Sequence, residues 1–173
     1  MKNTLKFLYE DNHVLAVYKP AGMLSQGDLS GDLDLLTLAK QIIKRRDDKP
    51  GNVYLGLVHR LDRPVAGVMI VAKTSKAAGR LSQQFRERST RKIYRAVVEG
   101  RPDRDQATLQ NRLLKDRAKR MTRVVHADAE GKDAMLNYRI LDSTANKSLV
   151  EVDLLTGLSH QIRVQLSTIG CPI

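Results

Sequence analysis

Asp62 is the residue of this chain best placed to do chemistry. It stands between Arg60 and Arg63 in Leu57-Val58-His59-Arg60-Leu61-Asp62-Arg63-Pro64-Val65-Ala66-Gly67, a turn that joins two apolar runs. A carboxylate on a loop held by flanking strands can be positioned for reaction. Guanidinium groups beside it favour its ionised form, which a nucleophile requires. The plainer role for a loop Asp is turn former or helix cap. Tyr94 lies in Arg91-Lys92-Ile93-Tyr94-Arg95-Ala96. A half-buried strand Tyr usually packs into a core, but an aromatic ring among cations also suits stacking on a nucleobase. Arg163 lies in Thr156-Gly157-Leu158-Ser159-His160-Gln161-Ile162-Arg163-Val164. It is rotated off the helical face shared by Ile162 and Leu166, so it can reach a site at the helix flank or simply be solvated. His59 and His160 lack carboxylate or Cys partners at ligand spacing. They are read as hydrogen-bonding residues that shape the site, and no metal is expected.

The elements that must position these side chains are legible in outline. Leu5 to Tyr9 and His13 to Val17 are short apolar runs split by Glu10-Asp11-Asn12, the pattern of a hairpin. Lys19-Pro20-Ala21-Gly22 is a turn, and residues 25–33 form a Gly/Ser/Asp loop. Leu35, Leu38, Ala39 and Ile42 fall at helical spacing. Asp34 is placed to cap that helix, and Lys44, Arg45 and Arg46 suit the dipole at its end. Val53 to Val58 and Val68 to Ala72 read as buried strands around the Asp62 turn. Thr74 or Ser75 caps a helix with Ala78, Leu81 and Phe85 inward and Arg80, Arg86 and Arg88 outward. Ile93 to Val98 alternates as a strand with Tyr94, Ala96 and Val98 on one face. Ala134 to Leu141 and Ser148 to Leu155 read as two more strands joined by a turn at 143–146. A last helix is expected from an N-cap at Ser159, with Ile162, Leu166 and Ile169 buried and Gly170-Cys171-Pro172 ending it. Strands and helices without strict alternation argue for an α+β fold.

Composition narrows the partners. Lys+Arg number 30 against 19 Asp+Glu, a net charge of +11 that points to a polyanion, either nucleic acid or an anionic membrane surface. No apolar run approaches the roughly 20 residues of a membrane span, and no signal-peptide pattern opens the chain. A soluble protein with access to nucleic acid is the reading that follows. Aromatics are only 4% of residues, so the core is mostly aliphatic. Cys171 is the single cysteine, which excludes an intramolecular disulfide and suits a reducing cytoplasm. Its place near the end of the chain suits a small apolar packing residue.

Four segments together carry a family resemblance. His59-Arg60-Leu61-Asp62-Arg63-Pro64-Val65-Ala66-Gly67 resembles the HRLDxxxSG signature of the RluA-type pseudouridine synthases. Tyr9-Glu10-Asp11 through Lys19-Pro20-Ala21-Gly22 resembles the family's opening strand pair. Lys92-Ile93-Tyr94 is similar to its K-x-Y motif, and Thr156 to Arg163 to its TGRxHQIR motif. The resemblance spans residues 8–173. It implies a single catalytic domain over 1–173 with an α+β fold, built on a mixed, largely antiparallel sheet with flanking helices and a central basic cleft. No S4-like module is expected ahead of it. At its C-terminal end the chain is expected to be truncated, because relatives continue through a GD-containing loop and further strands.

The activity implied is isomerisation of uridine in structured RNA, ribosomal or transfer, to pseudouridine, by a cytoplasmic monomer without a cofactor. The reaction breaks a C–N glycosidic bond and forms a C–C bond to the same ring. The resemblance makes Asp62 the catalytic carboxylate, attacking ribose, attacking the pyrimidine or removing a ribose proton. Tyr94 becomes the stacking residue and base at C5, and Arg163 the ion-pair partner of the carboxylate. The RNA contacts implied are Arg60, Arg63, Lys19, Lys92, His160, Arg117, Lys119 and Arg120. The stretch from Arg112 to Arg123 is expected to be a mobile loop that closes over RNA. Ala66, Leu158, Gln165 and Tyr18 depart from the family's usual Ser, Arg, His and Asn. Ala66 and Leu158, with the abrupt end of the chain, keep open a non-catalytic RNA-binding protein with the same fold, and a basic structural subunit of an RNA–protein particle is a third reading.

Overall fold

In this computed structural model, residues 5–116, 118 and 121–173 are described. Arg117, Lys119 and Arg120, three of the expected RNA contacts, lie outside the described residues. The contacts group into two compact units, residues 1–89 and 90–173.

The first unit is a four-stranded antiparallel sheet with two helices. Its strands are β1 (Lys6–Glu10), β2 (Val14–Lys19), β3 (Gly56–Leu57) and β4 (Gly67–Ala72), in the order β1-β2-β4-β3. The expected hairpin is β1–β2. Asp11 closes its turn by accepting the amide hydrogens of His13 and Val14 at 2.7 and 2.6 Å. The run from Val53 to Val58 contributes only two strand residues, and the rest of it is irregular. Helix α1 (Leu35–Arg46) is capped by Asp34, whose carboxylate accepts from the Thr37 amide at 3.0 Å. Its buried stripe is Leu35, Leu38, Ala39 and Ile43 rather than Ile42, a rotation of one position. Leu15, Val17, Met69 and Val71, from β2 and β4, are fully buried with it. Helix α2 (Ser75–Arg86) is capped by Thr74, not Ser75.

The second unit is a five-stranded antiparallel sheet with one helix. Its strands are β5 (Ile93–Glu99), β6 (Gln106–Asp116), β7 (Met121–Val125), β8 (Lys132–Ser143) and β9 (Lys147–Leu154), in the order β5-β9-β8-β6-β7. The polar stretch from Arg101 to Arg123 holds two strands that composition hid. The expected mobile loop within it is corrected: β6 and β7 pair from Arg112↔Val125 to Asp116↔Met121. Polar residues there are interleaved with Leu113, Leu114, Val124 and Val125, and a strand needs only one apolar face. Inward residues of β5, β8 and β9 build one core with Leu166 and Cys171, including Val98, Leu136, Val150 and Val152. The lone cysteine is thus an apolar core residue, as its position suggested.

Helix α3 (Gln161–Thr168) begins one residue later than an N-cap at Ser159 implies. His160 occupies the cap in a left-handed conformation, φ +56°, and caps nothing with its side chain. Gly170, at φ +75°, follows the helix as the left-handed residue that ends it. The fold is therefore α+β, as expected, with its antiparallel strands divided between two sheets. Among the described residues, no helix is long and apolar enough to cross a membrane.

Candidate active site

The Asp62 loop belongs to the first unit and is held by the turn after β2. Arg63 O accepts the Gly22 amide hydrogen at 2.8 Å, and Arg63 Nε returns a hydrogen bond to Gly22 O at 3.0 Å. Gly22 sits at φ +84°, a conformation that glycine adopts without steric cost. Lys19 lies beneath this contact and is fully buried. Its ammonium donates to Met23 O at 2.7 Å and to Pro20 O and Arg63 O at 3.2 Å each. Burial pushes the Lys19 pKa down, and the nearby Asp62 charge opposes that shift. Lys19 was expected to approach RNA. That expectation is corrected, because the side chain is buried and its hydrogens are directed at backbone carbonyls.

On the other side of the carboxylate, Ser25 holds Leu61. Its hydroxyl donates to Leu61 O at 2.6 Å and accepts from Leu61 N–H at 3.2 Å. Within the loop, Val65 N–H reaches Asp62 O at 3.0 Å, closing a tight turn. Asp62 itself is exposed where it opens this turn, ahead of Arg63 and Pro64, and Arg60 is exposed two residues before it. Arg63 is also partly exposed, and its guanidinium pairs with Asp32 at 2.7 Å. A phosphate at Arg63 would therefore compete with that carboxylate.

His59 closes the base of the loop. Its Nε2 accepts the Ile70 amide hydrogen at 3.0 Å, and its ring stacks on Phe85 with centroids 4.7 Å apart. Burial lowers its pKa. His59 is thus hydrogen-bonded within the fold, as expected.

The second unit carries Tyr94 and Arg163. Tyr94 is opposite Val152 on β5 and packs half-buried against the core, on the face of Ala96 and Val98. Arg163 is exposed on α3, while its neighbour Ile162 packs on that same core. Lys92 is half-buried, and its carbonyl accepts from Leu154 N–H at 2.9 Å. His160 is half-buried at the left-handed start of α3.

Two buried glutamines pin α3, and the sequence reading took neither for a core residue. Gln161 accepts from the Thr156 hydroxyl at 2.8 Å and from Leu158 N–H at 3.0 Å, and donates to Met135 O at 3.2 Å. It also donates to Gln165 Oε1 at 2.9 Å. Gln165 in turn donates to Leu109 O, Asn111 Oδ1 and Ala134 O, across β6 and β8. Spacing of i and i+4 puts both amides on one face, which was the available signal. Ser25 gave no such signal, since its partner is 36 residues away.

The arrangement defines an α+β protein with an exposed carboxylate on a pinned loop and a second unit that presents an aromatic ring and an arginine from a sheet and a fixed helix. A family profile for RNA pseudouridylate synthases matches residues 13–168. The chain is 36% identical over 170 residues to a ribosomal large subunit pseudouridine synthase D of Zymomonas mobilis, covering 96% of this chain and 53% of that protein. It is 34% identical over 166 residues to a ribosomal large subunit pseudouridine synthase C of Vibrio cholerae, covering 96% and 50%. A solved structure of human RNA pseudouridylate synthase domain containing 4 superimposes with a TM-score of 0.82 at 26% identity, covering 96% of this chain and 66% of that one. The chain belongs to the RNA pseudouridylate synthase family. It spans about half the length of the curated relatives it matches.

Proposed function

We propose that this protein isomerises uridine to pseudouridine in large-subunit ribosomal RNA. The observation that carries the reading is Asp62, exposed on a loop pinned on both sides, at the aspartate of the family signature. The relatives' names favour ribosomal over transfer RNA. The reaction breaks the C1′–N1 bond, forms C1′–C5, removes the C5 proton and returns a proton to N1. Electrons balance within the nucleoside, so the reaction calls for no redox partner.

Asp62 is assigned the catalytic carboxylate. Tyr94 is assigned base stacking and proton removal at C5; a ring held against a core can take a flipped base on its open face. Arg163, exposed on α3, is assigned the cation that the family resemblance pairs with the carboxylate. Arg60, exposed beside Asp62, is assigned RNA contact, with Lys92, His160, Arg117, Lys119 and Arg120. Arg63 joins them with the part of its guanidinium that stays exposed. Phosphate contacts of this kind make binding fall steeply with salt. The protein is proposed to act as a cytoplasmic monomer.

The test is tritium release from ribosomal RNA labelled at uridine C5, with Asp62→Asn as control. Release by the wild type alone supports the reading. Absence of release from ribosomal and transfer RNA, with RNA affinity intact in both proteins, would replace it with the non-catalytic RNA-binding reading.

A further inference from the structure

We infer that Ser25 is a positioning residue for Asp62, acting through the backbone of Leu61. This rests on the isomerase reading and extends it to a residue outside the family signature segments.

The geometry is that of a side chain standing in for a strand partner. One hydroxyl satisfies both the N–H and the C=O of Leu61, at 3.2 and 2.6 Å, in a place where Ser25 is 5% and Leu61 8% exposed. Water is therefore a poor substitute for either bond. Fixing both polar groups of one residue restrains the peptide planes on each side of it, and the second of these planes leads directly into Asp62. The residue after Asp62 is restrained as well, because Arg63 O takes hydrogen bonds from Gly22 N–H and Lys19 Nζ. Asp62 is exposed, and its side chain lies between two fixed backbone points.

Ser25 is itself anchored. Leu24 O accepts the Leu35 amide hydrogen at 2.9 Å, and Leu24 bridges Asp34, the cap of α1. Met23 O is held by Lys19. Ser25 thus transmits the position of a capped helix to the loop that carries the carboxylate. A reacting group displaced by about 1 Å can lose on the order of a hundredfold in rate, so this restraint belongs to turnover more than to RNA affinity.

The experiment compares wild type, Ser25→Ala and Ser25→Thr in the full chain, at a temperature where circular dichroism shows all three folded. Two quantities are read: amide hydrogen exchange at Leu61 and Asp62, and kcat and KM for tritium release from C5-labelled ribosomal RNA. In Ser25→Ala, exchange should rise at the Leu61 amide, which loses its acceptor, and stay unchanged in α1 and β2. Its kcat should fall roughly tenfold to a hundredfold with KM within about twofold. Ser25→Thr, which keeps the hydroxyl, should recover both. Unchanged exchange at Leu61 would overturn the clamp. Faster exchange with unchanged kcat, or a loss confined to KM, would overturn its role in positioning. A wild type without release would instead count against the isomerase reading, and with it the catalytic consequence drawn here, while exchange would still show whether Ser25 restrains Asp62.

Discussion

His59 takes the amide hydrogen of Ile70 on its Nε2 at 3.0 Å, which ties the residue three before Asp62 to the middle of β4. A ring nitrogen that accepts a hydrogen bond carries no proton, so the bond requires neutral His59. Burial, with Phe85 stacked on the ring, also disfavours the charged form, and the folded pKa lies below its ordinary 6.5. The sign follows. The stabilisation is fully present above the unfolded pKa and is lost as pH falls through the lower folded value. Nuclear magnetic resonance titration of the His59 ring should give a midpoint below 6.5, with the Ile70 amide resonance moving in step. A midpoint at or above 6.5 would refute this account.

Lys19→Met keeps most of the buried stem and removes the ammonium. Three carbonyls, those of Pro20, Met23 and Arg63, then lose a charged donor. The expected loss is roughly 2–3 kcal/mol of unfolding free energy, in the range for hydrogen bonds to a charged group. Urea denaturation measures it. An unchanged midpoint would mean that water reaches these carbonyls when Lys19 is gone.

Much of this loop was legible in the sequence because its signals are local. The Asp34 cap, the basic last turn of α1 and the turn at Gly22 each depend on residues within a few positions of one another. The Asp62 segment was legible because its residue order is that of a family signature. What stayed hidden depends on partners far apart. Ser25 and Leu61 are 36 residues apart, and Gln165 meets Leu109 across 56. Lys19 reads as a surface cation because lysine is rarely buried, and its burial goes with three converging carbonyls and the nearby Asp62 charge. The β6–β7 pair was masked by cations on exposed strand faces, and the left-handed His160 takes the cap position expected of Ser159.

Gln165→Leu tests the polar pin under α3. Leucine fills the space but leaves Leu109 O, Ala134 O and Asn111 Oδ1 without this donor and Gln161 with Met135 O in place of two acceptors. Buried groups deprived of a partner cost about 1–3 kcal/mol. The variant should lose roughly 3 kcal/mol in urea denaturation. Gln165→Glu, which keeps the oxygen facing Gln161 but cannot donate as an ionised acid, should fare no better at neutral pH. A stability equal to wild type in either variant would show that α3 is held by Gln161 and by the apolar packing of Leu166 without help from Gln165.

Glu10 sets the acid limit of the first unit. It lies at the end of β1 and pairs with Arg46, the last residue of α1, at 2.6 Å, and with Lys73, just beyond β4, at 2.7 Å. The Arg46 hydrogen bonds are the main cause of its low pKa, about 2 against an ordinary 4.5; burial opposes them and Lys73 adds to them. A depressed carboxylate pKa contributes stability that is present above the unfolded value and lost as pH falls through the folded one. The urea midpoint of wild type should therefore exceed that of Glu10→Gln above about pH 4.5, and the two should converge as pH approaches 2. Added salt should shrink the gap only partly, since the Glu10 side chain is 18% exposed while that of Arg46 is 46% exposed. A gap that persisted unchanged at pH 2 would assign the effect to lost packing rather than to charge.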